Sequence, residues 1–379
     1  IFSLIAVSAM ALNPVNPAMP SLTIAPDARA AGMGDVGVAT NADLNSQHWN
    51  PAKYAFMDSK GGITANYTPW LTKLVDDINS AHIAGYYNMG DMAVTISASF
   101  TYFSMGEVKL VDIGGVDFAD ATPNEWAIDL AYSRKLHEYV SMAVAMRFLY
   151  SDLTNGANFT GTSATEMYPG WTMAADVALY YKQPIALPMG DSYFGLGLNI
   201  SNLGGKMSYD DGDTQNFIPA NIRLGASYEL PFDDYNRLMI TAEANKMLVP
   251  TAYTKFGTDT LNGLPHMGQM EYSDISSPNG WWMSFCDAPG YVNEKTGKYV
   301  SGAMEELQEI QWAVGLEYSY NRQFFARVGY SHENFYKGNR NYVTLGAGFK
   351  LSIFSLDFAY CIARASNPLN ETMRFTLGF

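Results

Sequence analysis

Charge is scarce in this chain. Of its 379 residues, 16% are charged, against about 25% in ordinary soluble proteins. Basic residues are fewer still: 23 Lys and Arg face 37 Asp and Glu, a net charge of −14. A chain so acidic lacks the basic face that a nucleic-acid partner requires, so no such partner is expected. There are two cysteines, Cys286 and Cys361, and no CxxC pair. That excludes a zinc ribbon and a dense disulfide framework, and leaves pairing of the two open. Beyond the first dozen residues there is no run of about 18 apolar residues that could cross a bilayer as a helix. The five histidines, His48, His82, His137, His266 and His332, show no HExxH spacing. GxSxG and GxxxxGK[ST] are missing too, so no pattern for catalysis, metal or cofactor stands out. His332 beside Glu333 reads as a rim residue.

Aromatics, in contrast, are abundant at 14%, with 25 Tyr and 20 Phe, and the mean hydropathy is −0.08. Low charge, many Tyr and Phe and a near-neutral average fit a barrel with an apolar outside and a polar inside. Residues Ile1 to Leu12 read as the apolar core of a signal peptide without its positive start, ending in Ala9-Met10-Ala11.

From about Gly61 the chain repeats one unit, ten to thirteen alternating residues and then a break. In one such unit Ile96, Ala98, Phe100 and Tyr102 share a face, opposite Ser97, Ser99 and Thr101. A period of two marks a strand between two different surroundings. About fourteen segments follow this rule, beginning near Gly61, Ser80, Asp91, Asn124, Glu138, Trp171, Ser192, Pro219, Asn236, Glu309, Gln323, Arg340, Ser352 and Asn370. Alternation alone does not separate a membrane barrel from a soluble sandwich. Three further features do. Asp129, Arg147, Asp176, Arg223, Glu243, Glu317, Arg327, Asp357 and Arg374 all fall on the polar face, whereas an Arg or Lys facing lipid at mid-membrane costs about 2–4 kcal/mol. The segments have the roughly 9–11 residues of a tilted membrane strand. Finally, tight turns alternate with long polar connections, the longest from Leu248 to Gln308. The expectation is an all-β, transmembrane antiparallel barrel of about 14 strands over residues 60–379. Short turns and both termini lie in the periplasm, and long loops lie outside the cell.

Fourteen strands enclose more space than side chains alone fill. Residues 13–59 therefore read as an N-terminal plug or hatch in the lumen, the alternative being a periplasmic tail. The lumen charges of both signs are expected to form internal ion pairs. The last strand ends in Phe375, Leu377 and Phe379, which resembles the terminal aromatic signal read by the barrel-assembly machinery. Loop 249–308 contains Trp281, Trp282, Met283 and Phe285. Such a cluster suits protein contact, and equally packing of the loop on itself or a place at the membrane interface.

The run PDARAAGMGDVGVAT, followed by HWNPAKYAF, resembles the FadL superfamily, whose members carry a Gly-rich hatch and an Asn-Pro-Ala motif before the first strand. Here these are Gly32, Gly34, Asn50, Pro51 and Ala52. Within that superfamily the whole chain resembles the PorV (LptO) family, an outer-membrane component of the Bacteroidetes type IX secretion system. The resemblance implies a non-enzymatic role without cofactor. It implies binding to the giant translocon barrel (SprA/Sov-like) and capture of secreted proteins by their C-terminal domains. It further implies delivery to a PorU-like sortase that attaches them to lipopolysaccharide of the outer membrane. The competing role is FadL-like passive transport of fatty acids or other hydrophobic molecules. That role would use a gap in the wall, for which Gly195 and Gly197 or Gly346 and Gly348 are candidates, although glycines also serve barrel curvature.

Overall fold

The computed structural model describes residues 15, 17–71, 77–90, 93–111, 117–155, 167–212, 214–251, 260–261, 264–265, 274–293, 296–364 and 367–379. The signal-peptide expectation for residues 1–12 lies outside them, as does His266.

Fourteen antiparallel strands close into one barrel. They are β1 (Gly61–Pro69), β2 (Asn79–Asn88), β3 (Val94–Ser104), β4 (Asn124–His137), β5 (Val140–Asp152), β6 (Gly170–Leu187) and β7 (Gly190–Gly204). The ring continues through β8 (Asn221–Pro231), β9 (Asn236–Met247), β10 (Gln311–Tyr320), β11 (Phe324–His332), β12 (Tyr342–Leu351), β13 (Phe354–Ala363) and β14 (Met373–Gly378). Each strand pairs with its sequence neighbours, and β14 closes on β1 with Tyr67 opposite Phe375 and Thr64 opposite Gly378. All fourteen strands expected from alternation are present. No helix among the described residues is long and apolar enough to cross a membrane.

The faces sort as the pattern requires. Apolar residues at alternate positions (Ile63, Ile83, Ile96, Leu130, Met146, Leu224, Leu345, Leu356) are exposed, while Ser97, Asp129, Arg147, Asn199, Glu243 and Arg327 are buried. Val94, at the start of β3, is buried although its parity points outward. Aromatic belts flank the apolar band, as at the two interfaces of a membrane barrel. At one end Trp126 stacks on Tyr150, and Trp312 meets Tyr330. At the other, Tyr235 stacks on Tyr320, and Phe324 lies on Phe349. Leu130, in the middle of β4 and 60% exposed, faces hydrocarbon. Leu130→Arg should cost about 2–4 kcal/mol, lowering the fraction of heat-modifiable barrel recovered from outer membranes. Full recovery would contradict that placement.

The loops segregate by length. Residues 89–93, 138–139, 188–189, 232–235, 321–323 and 352–353 make short turns at one end. Residues 70–78, 105–123, 153–169, 205–220, 248–310, 333–341 and 364–372 make the longer connections at the other. Alternation did not reveal all the structure in these loops. Val108–Val111 pairs with Asp117–Ala121, and loop 248–310 carries the helices Ser277–Met283 and Gly302–Gln308.

Two features of the geometry bear on the expectations. The wall has no gap at the glycines of β7 or β12. Gly197 pairs with Gly225 and Tyr180, and Gly346 with Arg327 and Ala359; the one register shift in these ladders lies away from them, between Ala175 and Val177. The lack of a side chain there serves close approach from inside, described below. Secondly, the two ends of the described chain do not share one end of the barrel. Phe379 sits by the short turns, exchanging backbone hydrogen bonds with Ile63. Val15 and residues 17–21 lie by the long loops. Val15 packs on the cluster of Phe217, Val249 and Ile275, and the Ala18 N–H donates to the Phe217 carbonyl. The physical reason is that the N-terminal segment runs lengthwise along the inner wall before it enters β1.

Candidate functional site

Two regions stand apart from the plain barrel wall, namely the N-terminal segment against the lumen face and the cap formed by residues 274–293 and 296–310.

The segment has little regular structure of its own. Its helix α1 (Ala28–Ala31) is capped by Asp27, whose carboxylate accepts from the Ala30 N–H at 2.8 Å and from Trp49 Nε1 at 2.6 Å. Burial, with the charge of Asp43 beside it, pushes the Asp27 carboxyl up to about 6. A second short helix, α2 (Ser46–Trp49), leads into a 3₁₀ turn, Pro51–Phe56. Short helices of this kind do not hold themselves. The barrel holds them.

The glycines explain how closely. A Cβ on Gly197 would lie 2.0 Å from the Val38 carbonyl oxygen, and one on Gly329 would lie 1.9 Å from the Met33 carbonyl carbon. From the other side, a Cβ on Gly32 would lie 2.9 Å from Gly346 Cα. Gly34, at φ +83°, passes over the Tyr330 backbone and donates its N–H to Thr344 Oγ1 at 2.8 Å. Backbone thus packs on backbone where neither side has a side chain.

Asn50 caps the 3₁₀ turn by accepting from the Ala52 N–H, and its amide donates to the carbonyls of Val38 and Leu179 at 3.0 and 2.9 Å. The Pro51 and Ala52 carbonyls accept from Ser133 and Ser141 at 2.7 and 2.6 Å. The Asn-Pro-Ala motif therefore bolts the segment to β4, β5 and β6.

Charges complete the join. Arg29 donates to Glu317 of β10 at 2.9 Å and to Asp43 at 2.7 Å. Glu317 and Asp357 also hold Arg327, each at 2.6 Å. Burial works against the Asp43 charge, but Lys53 and Arg29 together hold its carboxyl below the ordinary range. Glu243 accepts from the N–H groups of Gly37 and Val38 at 2.9 Å while paired with Arg223. Arg147 pairs with Asp129 and Asp176. The expected lumen ion pairs are thus present, although Arg374 pairs with the segment and not with the wall: it lies 4.0 Å from Asp35 and donates to the Ala25 carbonyl at 3.0 Å. Burial, with Arg223 nearby, holds His48 neutral. Arg29, Asp43 and Lys53 went unremarked in the sequence, because a single charge between small residues carries no pattern.

At the long-loop end, helix α3 (Ser277–Met283) divides the four residues singled out there. Met283 packs toward Phe217, Val249 and Ile275, and Trp281 is half-buried. Trp282 is 76% exposed, and Phe285 is exposed beyond the helix. Helix α4 (Gly302–Gln308) is built the opposite way to an ordinary surface helix. Its acids Glu305 and Glu306 are buried, while Met304 and Leu307 are turned out, the latter 61% exposed. The acids have partners, which is what permits their burial. Lys246 of β9 holds Glu306 and Glu309 at 2.9 and 2.6 Å, and Lys337 holds Glu305 and Glu309 at 2.7 and 2.9 Å. The same carboxylates accept from the N–H groups of Ala288 and Gly290. Burial pushes Asp287, which takes the Thr251 N–H, up to about 6. This part of the loop is a cap fixed to the rim, with apolar side chains presented outward. Sequence reasoning missed Met304 and Leu307. Their signal was the pairing of acids in one helical turn with the distant Lys246 and Lys337.

At the barrel's seam, Phe375 and Phe379 of the terminal motif are exposed, against Phe358 and Phe354 respectively, and Leu377 lies between them on the same face. Cys286 and Cys361 are both free. Among the described residues no cluster could hold a metal ion.

A family model described as Type IX secretion system protein PorV matches residues 8–254. No curated protein matches the chain. Among solved structures, a TodX deltaS2S3 mutant monoaromatic hydrocarbon channel is similar with a TM-score of 0.51 at 10% identity, over 93% of this chain and 96% of that one. The P. putida toluene transporter TodX gives 0.50 at 10% identity, over 94% and 96%. At such identity these similarities show the fold alone.

Proposed function

Since the chain belongs to the PorV family of type IX secretion system proteins, and is an integral outer-membrane barrel of that system, we propose that it is a docking and shuttling component. It binds the translocon barrel, receives secreted proteins by their C-terminal domains and passes them to the PorU-like sortase and attachment complex. In this reading the long loops face outward from the cell and the short turns face the periplasm. The N-terminal segment is a hatch that seals the lumen, and Phe375, Leu377 and Phe379 serve assembly of the barrel.

The observation that carries the reading is the fixed cap. Exposed apolar side chains ordinarily cost solubility. Here Met304 and Leu307 are held outward by the buried ion pairs of their own helix, and Trp282 and Phe285 are exposed in the same loop, which is the arrangement of a pre-formed contact surface. The competing role, passage of hydrophobic molecules, has less support. It requires the segment to leave the lumen face to which Glu317, Glu243, Asn199 and Ser141 hold it.

Trp282→Ala combined with Leu307→Ala should leave a heat-modifiable barrel in the outer membrane. It should reduce translocon and client protein co-purified with a tagged copy by at least about tenfold, since one interface Trp often carries 2 kcal/mol or more. Undiminished capture refutes docking through this cap.

A further inference from the structure

A recess of about 570 Å³ opens at the short-turn end. Its deeper charges are matched: Arg29 and Arg327 by Glu317, Asp43 and Asp357, and Arg237 by Glu229 at 2.9 Å. The mouth is not matched. Lys182 of β6, Arg322 of the β10–β11 turn and Lys350 of β12 line it, and none has an ion-pair partner among the described residues. Lys182 and Lys350 occupy inward positions of their strands, in step with Tyr180 and Gly348. Facing them, Asp58 is the one lining carboxylate without an ion pair, and it is exposed. Lys135, which lies over the Phe56 ring at 4.6 Å, adds a fourth cation within electrostatic reach of Lys182. So in a chain of net charge −14, this rim holds an excess of positive charge.

Arg322 is also set in an unusual backbone. It and Asn321 both adopt left-handed φ, +52° and +53°, a conformation that Asn or Gly meets more easily than Arg in this tight three-residue turn. The turn would be better served by Asn-Gly, so a charged side chain is kept there at the expense of local stability.

Beside the cations the wall is aromatic and aliphatic. Phe325, Phe349 and Phe354 line the recess, and Ile353, at the tip of the β12–β13 turn, is 80% exposed. Leu351 and Phe379 are exposed next to it. Guanidinium and ammonium groups above an apolar collar match one chemistry, a phosphate carried on an apolar body.

We propose that this mouth is a binding site for a phosphate-bearing ligand, in the cell the headgroup of a phospholipid in the adjoining leaflet. Lys182, Arg322 and Lys350 contact the phosphate, and Leu351, Ile353 and Phe379 lie along the acyl chains. The identity of that leaflet as periplasmic rests on the orientation proposed above. Binding by the purified protein does not, so failure of one is distinguishable from failure of the other.

The test uses the full-length barrel in detergent and native mass spectrometry. It compares phosphatidylglycerol, a neutral diacylglycerol and inorganic phosphate as probes, for the parent and for Lys182→Gln/Arg322→Asn/Lys350→Gln. The parent should retain phosphatidylglycerol about tenfold more than the triple variant does, and neither should retain the diacylglycerol. Displacement of the lipid by millimolar inorganic phosphate would support the phosphate contacts and assign the site to a soluble phosphate. Equal retention of phosphatidylglycerol by parent and variant would overturn the proposal. Should the triple variant not yield a heat-modifiable barrel, two further measurements decide. Arg322→Asn alone, with a residue suited to left-handed φ, should weaken retention severalfold, and retention by the parent should fall with rising salt. Retention insensitive to both overturns it.

Discussion

Gly329→Val combined with Gly197→Val should unseat the N-terminal segment and raise the conductance of the barrel. Each added Cβ would lie about 2 Å from the segment's backbone, so that backbone must retreat by roughly an ångström or more at two points four strands apart in the ring. Overpacking of this kind costs about 1–3 kcal/mol per site. Neither valine disturbs the strands, since β-branched residues favour them. The expected result is a folded, heat-modifiable barrel whose ion conductance in planar bilayers rises at least about tenfold over the parent, as the polar lumen fills with water. Unchanged low conductance from a folded double variant would show that the segment is not the seal.

That prediction depends on contacts the sequence hides. The strands were readable because each repeats a signal every second residue, and because Asp129, Arg147, Glu317 and Arg327 keep the same parity as their neighbours Ser133, Ser141, Ser319 and Ser331. Turn lengths were readable for the same reason, as interruptions of a period. The meeting of Gly34 with the Tyr330 backbone, or of Val38 with Gly197, has no such signal. It joins residues over 150 positions apart through atoms that every residue possesses. The Asn-Pro-Ala motif could be noticed, but its chemistry, two carbonyls and one side-chain amide tied to three strands, needed coordinates. Helix α4 escaped because seven residues give two turns at most, and its apolar positions point the unexpected way.

The second large effect is expected at Glu317. This carboxylate of β10 lies between Arg29 of the segment and Arg327 of β11, and binds both. Glu317→Leu would leave two buried guanidinium groups facing each other, with Asp43 and Asp357 as their remaining partners. Removing one member of a buried ion network typically costs about 3–5 kcal/mol, because the charges left behind are uncompensated. The unfolding temperature of the detergent-solubilised barrel should drop by many degrees, and the segment should become sensitive to protease. The triple variant Arg29→Met/Glu317→Leu/Arg327→Met should recover most of that loss, since well-packed apolar replacements of a buried network are often neutral. A single Glu317→Leu variant as stable as the parent would mean that the network does not hold the segment to the wall.

The seam between β1 and β14 has a consequence for the order of events during folding. It is the shortest ladder in the ring, four register pairs from Thr64–Gly378 to Tyr67–Phe375, extended by the hydrogen bonds between Ile63 and Phe379. It also joins the most distant parts of the sequence, so loop-closure entropy makes it the latest to form. If the N-terminal segment is the hatch proposed above, it must by then already be inside. Leu44 presses on Gly62 and Gly378 at the seam itself, and Thr376 accepts from the Ala28 N–H and donates to Asn66 across it. The ring therefore shuts around its own contents, like a cask whose last stave is fitted after it is filled.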